Sequence, residues 1–179
     1  MAASYAELHC RSCFSFLKGA SHPEELARRA HELGYGALAL TDRCSLAGVV
    51  RAHQEAKDLG LPLIVGSELR IASGPRLVAL AQTRAGYGNL SQLISRARRR
   101  APKGQYRLLA EDLDTGLPEC LLVWLPDREP GHDRSETTAQ GRWLRKRFPG
   151  RLWAGVVLHR RGGDQAWLAH LQRLGRDLD

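Results

Sequence analysis

The chain has 179 residues, 43% of them hydrophobic, and carries 27 Lys+Arg against 19 Asp+Glu, for a formal net charge of +8 and a pI near 9.9. That length and composition suit one globular domain with a substantial core. No apolar run approaches the roughly 20 residues that cross a bilayer, and the opening MAASYAELHC lacks the basic and apolar segments of a secretory signal, so a cytoplasmic protein without a membrane partner is expected.

Tyr5 to Cys10 alternates as a first strand and leads into a polar, aromatic loop from Arg11 to Ala20. Ser21-His22-Pro23-Glu24 reads as a capping box with Pro23 in the first turn, and the helix it opens runs to about Leu33, with Gly34 closing it. Ala37 to Thr41 is a short apolar strand, followed by Asp42 and Arg43 and then a helix from about Leu46 to Leu59, stopped by Gly60 and Pro62. Leu63 to Ile71 forms a third strand. Strands and helices alternating at this spacing predict parallel βαβ units.

Ser73-Gly74-Pro75 turns the chain, and Arg76 to Ala81 is expected as the hairpin partner of the third strand. Gly86 to Arg100 reads as a helix with Leu90, Leu93, Ile94 and Ala97 on one face. A loop with Pro102 and Gly104 and a short polar segment carry the chain to Gly116. Cys120 to Leu125 is an apolar strand, Asp127 to Gln140 a mobile polar loop, and Trp143 to Phe148 a basic helical segment. Leu152 to Leu158 is a sixth strand and Asp164 to Leu178 a last helix with Trp167, Leu168, Leu171 and Leu174 inward. These elements are much of a β/α barrel without its closing strands.

Two features of the composition carry competing readings. Arg96, Arg98, Arg99 and Arg100 crowd the end of one helix, where they complement the helix dipole or form a nucleic-acid patch, with Arg142 to Arg151 as a second basic stretch. The four cysteines, Cys10, Cys13, Cys44 and Cys120, are expected as free thiols, because C-x-x-C here precedes no helix start and has no second close pair to complete a zinc site.

If the first three strands are parallel neighbours, their ends gather Glu7, His9 and Arg11, then Asp42 and Arg43, then Glu68 at one mouth. Imidazole and carboxylate in such a cluster suit zinc or manganese, although a single histidine near a strand end is more commonly a hydrogen-bonded structural residue.

The runs YAELHCRSCFSFLKGASHPEEL, LGYGALALTDRCSLAGVVRAH, LPLIVGSEL and RAGYGNLSQLIS together resemble the N-terminal PHP (polymerase and histidinol phosphatase) domain of bacterial C-family DNA polymerases, nearest the error-prone branch related to the DNA polymerase III alpha subunit. The resemblance spans nearly the whole chain and is densest from Tyr5 to Tyr106. It implies an α/β fold, a PHP-type distorted β/α barrel with metal ions at its strand ends, left incomplete here because the closing strands and a last Asp-x-His pair fall outside residues 1–179. It also implies a parent DNA-directed DNA polymerase, a nucleotidyltransferase of DNA replication, DNA repair and damage-induced mutagenesis. The parent's active site uses aspartates and Mg2+ in a separate palm, and its partners are DNA, the polymerase core and accessory mutagenesis proteins.

Carried over by position, the family's His-x-His falls on His9 and Arg11, its Thr-Asp-His on Thr41, Asp42 and Arg43, and its Gly-x-Glu on Gly66, Ser67 and Glu68. Two histidine positions are therefore arginine, which has no lone pair to give a metal and a permanent charge that repels one. His9 and Glu68 are the unaltered ligands in the matched motifs. The expectation is a vestigial site, no cofactor bound by this chain, and a structural or docking domain. A stand-alone PHP-superfamily metal-dependent phosphoesterase and a nucleic-acid-binding module are the alternatives.

Overall fold

The computed structural model describes residues 5–128, 134–158, 160 and 162–178. Its strands are β1 (Ala6–Cys10), β2 (Ala37–Leu40), β3 (Leu63–Arg70), β4 (Arg76–Ala81), β5 (Cys120–Leu125) and β6 (Leu152–Ala154). Its helices are α1 (Pro23–Glu32), α2 (Val49–Leu59), α3 (Arg84–Arg99), α4 (Arg134–Arg147) and α5 (Asp164–Leu178), with a 3-10 turn at Ala110–Leu113.

The six strands lie in sequence order in one curled sheet, a half-barrel. β1, β2 and β3 are mutually parallel, as the alternation of strand and helix predicts. The connection from β3 to β4 is too short for a crossover, so β4 must reverse, and it pairs antiparallel with both β3 and β5. β5 and β6 are parallel again across α4. Five of the strands thus deliver their carboxyl ends to the same rim.

The main core lies between the sheet and α3, α4 and α5, where Leu69, Leu77, Leu90, Trp124, Leu144 and Phe148 are buried together. The predicted inner face of α3 is confirmed, with Leu90, Leu93, Ile94 and Ala97 all buried. A second cluster sets Ala27, Ala30 and Ala56 of α1 and α2 against Leu38. The concave side of the half-barrel is filled by Ala39, Val78, Leu80 and Leu125.

Several boundaries differ from expectation for local reasons. His22, not Ser21, caps α1, and its backbone N–H donates to Glu25 at 2.8 Å. α2 opens at Val49 instead of Leu46, after a turn at Ala47 and Gly48. α3 opens at Arg84, because the Thr83 side chain accepts from the Gly86 N–H. β6 ends at Ala154 and not Leu158. Its ladder with β5 covers only Leu122–Trp124, and Val156, Val157 and Leu158 are exposed.

The polar stretch Asp127 to Gln140 is not all loop. Residues 129–133 lie outside the described residues, but α4 begins at Arg134, well before Trp143. Its buried face is Thr137, Gly141 and Leu144, continued by Phe148 just past its end. That is helical spacing with two non-apolar members, so apolar periodicity is silent over the first half of the helix.

Gly86 is required by a close approach: a Cβ there would lie 2.1 Å from the Glu119 carbonyl oxygen. Overpacking of this kind predicts that Gly86→Ala costs roughly 1–3 kcal/mol. Thermal unfolding measures it, and an unchanged midpoint would show that α3 and the β4–β5 region can part without loss.

Candidate functional site

The rim is organised by two buried carboxylates that behave differently. Glu68, near the end of β3, is 4% exposed. Its Oε2 meets His9 Nε2 at 2.6 Å and Arg11 Nε at 3.6 Å. Its backbone N–H donates to the Thr41 and Asp42 carbonyls at 3.2 Å, and its carbonyl accepts from the Cys44 N–H at 2.8 Å. The strand therefore locks the βα turn of β2 in place, and an isolated bridge between Arg43 and Glu68 extends the sheet to it. Burial raises the Glu68 pKa, but the His9 hydrogen bond and then the charges of Arg11, His9 and Arg76 outweigh it, leaving a net lowering.

Gly66, two residues before Glu68, has no room for a side chain: a Cβ would lie 2.6 Å from the Ala79 carbonyl and 3.0 Å from Thr41 Cγ2. The Gly-x-Glu spacing thus combines a close strand approach with a carboxylate at the rim.

Asp42 is 1% exposed and faces the β1–α1 loop. Its Oδ1 accepts from the Ser12 N–H at 2.9 Å and the Ser15 hydroxyl at 2.6 Å, and its Oδ2 from the Ser12 hydroxyl at 2.7 Å. Ser15 Oγ in turn accepts from the Arg43 N–H at 2.9 Å. This carboxylate holds the loop, whereas sequence position places it among the rim groups. Glu7 also turns away: it accepts from the His9 N–H and the Tyr5 hydroxyl, each at 2.8 Å. Of the six clustered residues, the fold brings His9, Arg11, Arg43 and Glu68 to one cleft of about 990 Å³.

The rim also gathers residues that the sequence reading missed. Arg70 and Arg76 are register partners across the β3–β4 hairpin, and Asp127 lies between them, 2.6 Å from Arg70 Nη1 and 3.7 Å from Arg76 Nη2. Arg128, paired with Asp164, lines the same cleft. One signal was available: two arginines symmetric about a Ser-Gly-Pro turn face each other in a hairpin, and like charges there need a counter-ion.

The α3 arginines are largely engaged within the chain. Arg98 Nε donates to the Cys44 carbonyl at 2.9 Å and its Nη2 to the Arg43 carbonyl at 3.1 Å. Arg100 forks onto Asp112, with Arg96 3.8 Å from the same carboxylate. The Arg100 bond first lowers the Asp112 pKa, against burial, with help from the Leu109 N–H and the nearby charges. Arg99 is exposed. The thiols are free, and burial pushes Cys10, Cys44 and Cys120 up to about 11, which keeps them protonated and unreactive.

A family model described as the PHP domain matches residues 7–126. The chain belongs to the PHP family. Among curated proteins, this PHP chain is 57% identical over 176 residues to an error-prone DNA polymerase of Dechloromonas aromatica and 54% identical over 177 residues to one of Methylococcus capsulatus. These alignments cover 96% and 98% of the chain but 17% and 16% of those polymerases, so the chain spans about a sixth of their length. Among solved structures, a protein of Bifidobacterium adolescentis assigned as a metal-dependent phosphoesterase superposes with TM-score 0.67 at 14% identity, over 97% of this chain and 85% of that one. An amidohydrolase from Chromobacterium violaceum, holding sulfate and no metal, gives TM-score 0.67 at 17% identity, over 96% and 84%. These likenesses establish the PHP-type barrel fold.

The donor set of this PHP domain does not fit the metal ions that the family implies. Glu68 and His9 are bonded to each other, Arg11 faces the same carboxylate, and Asp42 is spent on serines. Among the described residues no group of three His, Cys, Asp or Glu side chains could hold a metal ion.

Because the folded pKa of Glu68 lies below its ordinary 4.5, the stability its charge contributes is present above that pH and is lost as the pH falls through the lowered value. Glu68→Gln is therefore expected to cost roughly 1–3 kcal/mol at neutral pH. It should also flatten the acid limb of the unfolding midpoint plotted against pH. An acid limb identical to that of the parent chain would show that this carboxylate is not held by His9 and Arg11.

Proposed function

We propose that residues 1–179 form the PHP domain of an error-prone DNA polymerase, and that the domain serves that enzyme as a structural and docking element with no metal chemistry of its own. The observation that carries the reading is Arg11 Nε 3.6 Å from Glu68 Oε2, with His9 Nε2 2.6 Å from the same oxygen. A guanidinium supplies the positive charge that a divalent cation would supply, and it cannot activate water. The identity with error-prone DNA polymerases over nearly the whole chain supports the parent enzyme.

In this reading the parent is a cytoplasmic nucleotidyltransferase of DNA repair and damage-induced mutagenesis, whose palm holds Mg2+ and performs primer extension. The PHP domain supports the polymerase core and accessory mutagenesis proteins. The stand-alone phosphoesterase is disfavoured because His9 and Glu68, the ligands it would need, satisfy each other.

Elemental analysis of the purified chain after dialysis tests the reading. No stoichiometric zinc or manganese is expected, and either metal retained at one equivalent would refute it. The double change Arg11→His and Arg43→His restores lone pairs at both positions, and should raise manganese or zinc affinity measurably over the parent chain in calorimetry.

A further inference from the structure

Beside the rim lies a second cleft of about 1050 Å³, walled by the β1–α1 loop, the β3–β4 turn and residues 104–108. Five cationic side chains line it, Lys18, Arg43, Arg70, Arg98 and Arg107, against the two carboxylates Asp127 and Glu136 among the described residues. Asp127 is already shared by Arg70 and Arg76. The guanidinium groups of Arg43 and Arg98 lie 5.6 and 5.5 Å from the ring centre of one tyrosine, Tyr106, so two fixed positive charges are held over a single aromatic floor. Lys18 and Arg107 are exposed at the walls.

The same cleft carries aromatic side chains turned to solvent. Phe14 is 39% and Phe16 84% exposed, both on the loop that Asp42 pins through Ser12 and Ser15. A loop held by a buried carboxylate and three donors keeps these rings at the cleft edge at little further ordering cost.

A positively charged groove with exposed rings is the arrangement that binds single-stranded nucleic acid: cations track phosphates, and rings receive the faces of unpaired bases. An acidic peptide would satisfy the charge but would leave the rings without base partners, and a duplex keeps its bases stacked away from them. From this juxtaposition we infer that the Phe14–Lys18 loop, Tyr106 and the surrounding arginines form a binding groove for single-stranded DNA within the PHP domain itself. Of the arginines at the α3 terminus only Arg98 lines the groove; Arg96 and Arg100 are taken up by Asp112. The inference goes beyond the proposed function and stands whether or not the rim holds a metal. Elemental analysis decides that reading, and DNA binding decides this one.

The test is fluorescence anisotropy of the full chain with a labelled oligothymidylate of about 12 nucleotides. For about four phosphate contacts, affinity should fall roughly 50-fold between about 50 and 200 mM salt. Phe16→Ala should weaken binding about fivefold or more, since stacking on a ring is worth that much per base, while leaving inorganic polyphosphate binding unchanged. The paired change Lys18→Glu and Arg107→Glu should weaken both ligands, whereas Arg99→Glu, outside the groove, should leave both near the parent value. These side chains are exposed, so circular dichroism should show each variant folded. The inference is overturned by no binding at the lower salt, by an equal loss from Arg99→Glu, by duplex binding as tight as single-strand binding, or by polyglutamate displacing the oligonucleotide as well as unlabelled oligothymidylate does. That last result would assign the groove to an acidic protein segment.

Discussion

A carboxylate 4% exposed at the end of a strand needs partners for its charge, and Glu68 has a hydrogen bond with His9 and the guanidinium of Arg11. Ionised and unpaired, it would cost several kcal/mol of lost hydration. Paired with His9 and Arg11, it joins the carboxyl end of β1 to that of β3 across β2, and its backbone holds the Asp42–Cys44 turn. Three strand ends are thereby tied at one point. A metal ion does the same work by drawing carboxylates and imidazoles together, but only through lone pairs, which an arginine lacks. At this rim the tie is made by the Glu68–His9 hydrogen bond and the Arg11–Glu68 ion pair.

Asp42 shows a second way of satisfying a buried charge. Three neutral donors from Ser12 and Ser15 surround it, so its charge stabilises the β1–α1 loop and not an ion at the rim. Arg43, freed from that carboxylate, lies over Tyr106 beside Arg98. Tyr106 and, against some cost of burial, Glu68 keep its guanidinium charged. Positive charge that would meet carboxylates in a metal site is instead displaced towards an open cleft. The basic character of the chain beside the rim is thus placed by specific contacts.

The end of α3 bears on the same point. Four arginines in five positions suggest either dipole complementation or a nucleic-acid face, and the contacts show a third use. Arg98 staples the helix to the Arg43–Cys44 backbone, and Arg96 and Arg100 converge on Asp112, whose Oδ2 also accepts from the Leu109 N–H. Asp112 gives no sign of this in the sequence, because a carboxylate twelve residues from its arginine is only a partner once the intervening chain has folded back.

Set against the family's motifs, Arg11 and Arg43 stand at histidine positions, while strand and helix order, the inner face of α3, the β3–β4 hairpin and the free thiols are legible in the residues alone. These depend on periodicity, turn length and donor chemistry, which act over a few positions. The start of α4 is hidden because its buried face uses Thr137 and Gly141, and the end of β6 because the length of an edge strand is set by its pairing, here three residues against β5. Which carboxylate serves a metal-like rim and which serves a loop is decided only by the tertiary structure. Glu68 and Asp42 occupy equivalent places at strand ends in the sequence, and only their neighbours in space, an imidazole and a guanidinium for one and two serines for the other, separate their roles.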